Sequence, residues 1–235
     1  MSKAYVVTGA SSGIGAAVAK ALIARGDEVL AVARREEILR SSYGEGYLAL
    51  DLCADEAVEA VAKAAGTRFG AIDGFVHCAG FALPMPLGLI DADSAKRLYA
   101  VHALFPMRFL GWMAKAANHR AGASAVLVGS RSTREADVGN VAYVAAKGAV
   151  EAIIQSAAAE LSARGVRVNA VSPGIVDTEM ARTTWMRTMD ENRRAELIAR
   201  HGGLATSASV AAAIVKLLDG EDNGRIVELQ AETGK

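Results

Sequence analysis

Tyr143 and Lys147 stand four residues apart in a stretch, NVAYVAAKGAV (140–150), that is otherwise mostly small and apolar. On an α-helix, four residues advance the chain by about 400° and roughly 6 Å, so a phenol and an ammonium at this spacing share a face and can act on one site. A tyrosine ordinarily loses its proton only near pH 10, but a cation held beside it favours the phenolate and brings proton exchange closer to neutrality. By itself the pair suits equally well a half-exposed helix edge, with the ring packed and the amine solvated. The rest of the chain has to separate the two readings.

A second group with chemical meaning is TGASSGIG (8–15), directly after the apolar run Ala4–Thr8 and ahead of an Ala-rich helical pattern. Gly9 permits a tight turn, and bare backbone at Gly9, Gly13 and Gly15 lets a pyrophosphate come close. The helix start adds free N–H groups and the positive end of a dipole. The spacing G-x-x-x-G-x-G is one residue wider than the common dinucleotide fingerprint, which therefore applies by analogy. Between a strand and a helix it reads as a nucleotide site.

The elements that must position these groups are legible as alternating patterns. Runs rich in Val, Ile and Leu recur at Ala4–Thr8, Glu28–Ala33, Tyr47–Leu50, Gly74–Cys78, Ala125–Gly129, Arg167–Val171 and Arg225–Leu229, separated by Ala-rich helical stretches. Near-continuous apolar strands are covered on both faces, so the expected fold is α/β: a doubly wound, Rossmann-like, seven-stranded parallel sheet with helices on either side. At 235 residues without a linker or repeat, one domain over 1–235 is expected. The stretch 173–203 shows neither a clear strand nor a dominant helical period and reads as a substrate-covering segment.

Twenty-six basic and twenty-six acidic residues cancel, which removes the electrostatic case for a nucleic-acid or anionic-membrane partner and points to a small-molecule ligand. Cys53 and Cys78 are far apart, with no cluster of Cys and His, and fit neither a disulfide framework nor a metal site. Without a signal-peptide or membrane-span pattern, a cytoplasmic protein is expected.

Further motifs follow in order. Asp51-Leu52 comes after the third strand, Cys78-Ala79-Gly80 after the fourth, and Ser130 at the end of the fifth, thirteen residues before Tyr143; VSPGIVDTEM (171–180) follows the sixth. This ordered set resembles the compact branch of the short-chain dehydrogenase/reductase family over essentially the whole chain, and it sets aside the solvated-edge reading of Tyr143 and Lys147. The resemblance implies that Tyr143 exchanges a proton with a carbonyl or alcohol oxygen, that Ser130 holds that oxygen, and that Lys147 tunes the phenol and bonds the nicotinamide ribose. It implies cofactor contacts from Gly9, Ser11, Ser12, Gly13, Ile14 and Gly15, from Asp51 and Leu52 beside the adenine, and from Ala79, Gly80, Tyr143, Lys147, Pro173, Gly174, Val176 and Thr178. Members commonly pair through the helices after the fourth and fifth strands, so a homodimer or homotetramer is expected. The tail AETGK stands in place of the Gly-Gly often found after the last strand, which puts contacts built from that end in doubt.

Two positions depart from the family pattern. His102 occupies the place of the fourth catalytic residue, an asparagine. A histidine there can donate, accept and bond water, and it ordinarily titrates near neutrality. It reads equally as a satisfied polar residue. His77, before Cys78, reads as structural. At the end of the second strand Ala33 replaces the acid that an NAD-preferring member presents to the ribose, and Arg34 and Arg35 follow. A guanidinium bonds a 2′-phosphate bidentately, which favours NADP(H), with NAD(H) left open if the arginines instead pair with Glu36 and Glu37.

Pro84, Met85, Leu87, Met180, Trp185, Met186 and Met189 suit an apolar pocket wall, or equally core or subunit contacts. Arg131 or Arg134 is expected to meet a polar or anionic substrate group. The expected activity is NADP(H)-dependent interconversion of a carbonyl and a secondary alcohol. The alternatives are an NAD(H)-linked alcohol dehydrogenase and a non-catalytic NADP(H)-binding regulator on the same fold.

Overall fold

β1 (Ala4–Thr8) is followed by α1 (Gly13–Ala24), β2 (Glu28–Ala33), α2 (Glu36–Tyr43), β3 (Tyr47–Ala49), α3 (Ala57–Phe69) and β4 (Ile72–His77). Then come α4 (Ala92–Tyr99), α5 (Phe105–Met113), β5 (His119–Val128), α6 (Val141–Ser162) and β6 (Arg167–Pro173). The chain ends with β7 (Ile175–Val176), α7 (Glu179–Thr183), α8 (Glu191–Arg200), β8 (Leu204–Ala205), α9 (Ser207–Asp219) and β9 (Ile226–Leu229). This computed structural model describes residues 2–135, 138–187 and 189–229.

All seven strands of the main sheet run parallel in the order β3-β2-β1-β4-β5-β6-β9. Because side chains alternate along a strand, Val6 and Phe75 face one core and Tyr5, Val7 and Val76 the other. The first core packs the sheet on α3, α5 and α6 through Val61, Phe109 and Ile154, and the second packs it on α1 and α9 through Val18, Leu22 and Ile214. The chain order reverses between β1 and β4, so the carboxyl ends of those strands open the crevice where doubly wound sheets bind ligands.

The stretch 173–203 is more regular than its sequence suggests. A two-stranded parallel sheet, β7 with β8, closes its base, and α7 and α8 lie between. α8 is capped by Asp190, whose side chain accepts from the Arg193 N–H, and has no buried residue, so it lacks the apolar stripe by which periodicity finds a helix.

The helical stretch after β4 is interrupted where Pro106 falls. Proline has no N–H for the carbonyl of His102, four residues back, and its ring crowds that carbonyl. The helix widens into a single π turn over Ala100–Leu104, in which the Phe105 N–H reaches the Ala100 carbonyl. His102 sits in this widened turn.

Candidate active site

The β1–α1 turn is built as its glycines require. Gly9 (φ +70°) and Gly13 (φ +56°) occupy the left-handed region. A Cβ on Gly9 would lie 2.8 Å from the backbone of Cys78 and Ala79, and one on Gly15 2.4 Å from the Gly9 carbonyl oxygen. Ser12, at the N-cap of α1, gives no side-chain cap, so the first-turn N–H groups face the crevice without that partner. Bare backbone and uncapped donors fit a pyrophosphate.

At the ends of β2 and β3 the cleft wall turns polar. Arg34 and Arg35 are exposed there. Arg35 donates from Nε to Ser11 Oγ (3.1 Å), from Nη2 to Ser12 Oγ (2.5 Å) and from Nη1 to Glu179 Oε2 (2.8 Å). Glu36 pairs with Arg40 rather than with either arginine. Asp51 accepts from the Cys53 N–H and from Arg97, each at 3.1 Å.

Behind the glycine turn, His77 is fully buried. Its Nε2 donates to the Val101 carbonyl (2.8 Å), so Nδ1 accepts from Thr8 Oγ1 (2.9 Å), which in turn accepts from the Ala79 N–H (3.2 Å). Burial, reinforced by the Lys147 charge, lowers its pKa to about 3. It is a neutral strut joining β1, β4 and the π turn, in line with the structural reading.

The reacting groups meet at the ends of β5 and α6. Ser130 is extended (φ −161°), and its Oγ accepts from the Ser132 N–H (3.2 Å) and shares a hydrogen bond with Ser132 Oγ (2.8 Å). Tyr143 and Lys147 are both buried, at 6 % exposure each, so Lys147 is not a solvated edge. Lys147 Nζ donates to the Val128 carbonyl (2.8 Å) and lies 5.8 Å from the centroid of the Tyr143 ring. Burial pushes the phenol up to about 12, opposed only in part by a hydrogen bond with Ser130. Burial also draws the Lys147 ammonium down to about 8.

In the free protein burial works against the expected acidification of Tyr143 by Lys147. Burial is the largest influence on the phenol, and removing a phenolate from water is costly.

Two rings hold the phenol edge-to-face, His102 at 5.5 Å (87°) and Trp185 at 5.7 Å (72°), and the Trp185 indole donates to Asn140 Oδ1 (3.4 Å). His102 Nε2 donates to the Phe81 carbonyl (2.9 Å), leaving Nδ1 as a buried acceptor without a hydrogen-bond partner among the described residues. Burial holds His102 well below the ordinary histidine range, and the Lys147 charge adds to this, which corrects the expectation that it titrates near neutrality. Its ring also explains Gly80, where a Cβ would lie 2.1 Å from His102 Cε1.

These groups share one cleft of about 1020 Å³. Every residue singled out from the sequence for catalysis or dinucleotide contact lines it, from Gly9 through Asp51, Leu52 and Ala79 to Pro173, Gly174, Val176 and Thr178. Of the apolar wall, Pro84, Met180, Trp185 and Met189 line it, while Met85, Leu87 and Met186 do not.

Arg131 and Arg134 do not line it either, against expectation. Arg131 donates to the His201 carbonyl (2.9 Å) and pairs with Glu135 (3.0 Å), which also pairs with His201; Arg134 pairs with Glu151 and Glu228. Residues 136 and 137 of that segment, and the tail 231–235, lie outside the described residues. Sequence reasoning missed Ser132, Asn140 and Glu179, and the α8 face carrying Arg193, Glu196, Leu197 and Arg200. The i, i+3, i+4, i+7 spacing is there for α8, but three of the four residues are charged and Leu197 alone is apolar. Among the described residues no group of His, Cys, Asp and Glu is placed to hold a metal, and no helix is long and apolar enough to cross a membrane.

The chain is similar to known proteins over nearly its whole length. The family described as enoyl-(acyl carrier protein) reductase matches residues 9–227. The chain is 33% identical to 2-(R)-hydroxypropyl-CoM dehydrogenase of Xanthobacter autotrophicus over 94% of this chain and 93% of that protein. It is 31% identical to a 3-oxoacyl-(acyl-carrier-protein) reductase of Vibrio cholerae over 93% and 91%. Among solved structures, a short chain dehydrogenase family protein of Francisella tularensis superposes with a TM-score of 0.85 at 24% identity, covering 98% of both chains.

Proposed function

Because the chain belongs to the short-chain dehydrogenase/reductase family of oxidoreductases, we propose that it interconverts a carbonyl and a secondary alcohol with NADP(H), Tyr143 acting as general acid and base. One observation carries this reading: a buried tyrosine, followed one turn later by a buried lysine, lines the same cleft as the strand-end serine Ser130 and the glycine turn. A bound nicotinamide dinucleotide supplies or accepts the hydride.

The protein's own groups do the rest. With its pKa near 12, Tyr143 holds its proton throughout the physiological range and is ready to donate it to a carbonyl oxygen, while Ser130 holds that oxygen in place. In the reverse direction the phenol has to act as a base. An ammonium at Lys147, whose pKa is drawn down to about 8, then favours the phenolate. Reduction is the favoured direction because cells keep NADPH reduced. The first turn of α1 and Gly9 to Gly15 would hold the pyrophosphate, Arg34, Arg35 and the Ser11 and Ser12 hydroxyls would hold the 2′-phosphate, and Asp51 and Leu52 would contact the adenine.

Exposed Tyr99, Leu104 and Met107 along the α4–α5 stretch support pairing of copies through that face. Two free cysteines suit a cytoplasmic setting.

The test is a panel of ketones and aldehydes with NADPH or NADH, followed by nicotinamide absorbance, with Tyr143→Phe alongside. Turnover in the parent and not in the variant supports the reading. Cofactor binding without turnover across the panel would favour a regulator instead.

A further inference from the structure

The contact between Arg35 and Glu179 has no counterpart in the motif reading, because it joins the end of β2 to the first residue of α7, 144 positions along the chain. Three nitrogens of the Arg35 guanidinium are engaged: two by the glycine-turn hydroxyls of Ser11 and Ser12, and the third by the Glu179 carboxylate at 2.8 Å. All four residues line the cleft. Glu179 is brought there by its neighbour: Thr178 caps α7 with its side chain, and its methyl sits 3.2 Å from where a Cβ of Gly13 would be, against the glycine turn.

A guanidinium flanked by two hydroxyls is a ready cradle for a phosphate, and in the free protein a carboxylate occupies one arm of it. We propose that Glu179 is a specificity-determining residue, an internal counter-ligand of Arg35 that must be exchanged for the 2′-phosphate when NADP(H) binds and is left in place when NAD(H) binds. Two anions crowded on one guanidinium repel, so the carboxylate lowers the affinity for the phosphorylated dinucleotide and narrows the preference that Arg35 creates. The pair is half-exposed, with side-chain exposures of 41% and 61%, so the effect is modest and salt-sensitive.

This inference rests on Arg35 taking the 2′-phosphate, and the test separates the two. The dissociation constants of NADP+ and NAD+ are measured by calorimetry or quenching of Trp185 fluorescence for the parent, Glu179→Gln and Arg35→Ala, with melting curves to verify folding. For Glu179→Gln the expected result is NADP+ binding about two- to five-fold tighter at low salt, NAD+ unchanged, and the gain fading at high salt. For Arg35→Ala, NADP+ binding weakens by about tenfold or more with NAD+ little affected.

If Arg35→Ala behaves so, but Glu179→Gln leaves NADP+ binding unchanged, weakens it, or tightens both dinucleotides alike, the counter-ligand role falls while the cofactor reading stands. If Arg35→Ala leaves the ratio of the two affinities unchanged, both fall.

Discussion

The two ends of the cleft handle charge in opposite ways. At one end Arg35 and Glu179 are exposed and paired with each other, where water and salt screen both partners. At the other, Tyr143, Lys147 and His102 are buried, with His77 behind them, and burial is the largest influence on each, favouring the neutral form. Solvated charge decides which anion is attracted but adds little stability. Desolvation decides which group holds a proton, and it couples that choice to folding.

The comparison breaks most visibly at Tyr143. Replacing it with Phe is expected to lower turnover by about 10²- to 10⁴-fold while leaving dinucleotide affinity nearly unchanged. Comparable turnover in the variant would place the proton donor elsewhere.

Next in size is acid stability. The pKa of His77 is depressed from 6.5 to about 3 on folding, so its contribution is complete above the unfolded value and is lost as pH falls from 6.5 towards 3. Between pH 7 and pH 4 this amounts to about 3 kcal/mol. Urea unfolding at the two pH values should show that loss in the parent and much less of it in His77→Asn.

His102 sharpens the contrast further. A neutral, locked imidazole predicts no inflection in kcat/KM attributable to it over roughly pH 5.5 to 7.5, and His102→Asn should keep activity within about tenfold with the same profile. A parent inflection near 6.5 that vanishes in the variant would show a titrating histidine. The smallest effect belongs to Arg134, outside the cleft and paired with Glu151 and Glu228. Arg134→Ala should change kcat/KM for an anionic substrate by less than about twofold.

Much of this was legible before the fold. The alternation of apolar runs with Ala-rich stretches yields the sheet and its helical layers, since faces buried on both sides leave no polar alternation. Tyr143 and Lys147 were found because their spacing is a helical repeat, and the glycine turn because a positive φ and close backbone approach both exclude a side chain. α8 escaped periodicity because solvent surrounds it, although Asp190 at its cap, Glu191 in its first turn and Arg200 in its last mark its ends. The anionic-substrate role expected of Arg131 went astray because adjacency to Ser130 does not fix direction: its guanidinium turns toward Glu135 and His201.

By itself the sequence determined the succession of strands and helices along the chain, the nucleotide-type turn and the candidates for proton exchange, because hydrophobic period, backbone dihedrals and helical spacing are local properties. Only the tertiary structure decided how deeply Tyr143, Lys147 and His102 are buried, and so the direction in which each pKa moves, and the partner of Arg35. Those depend on how much water is removed around a group and on which distant charge stands beside it. Neither quantity is set until residues far apart in the chain are packed together.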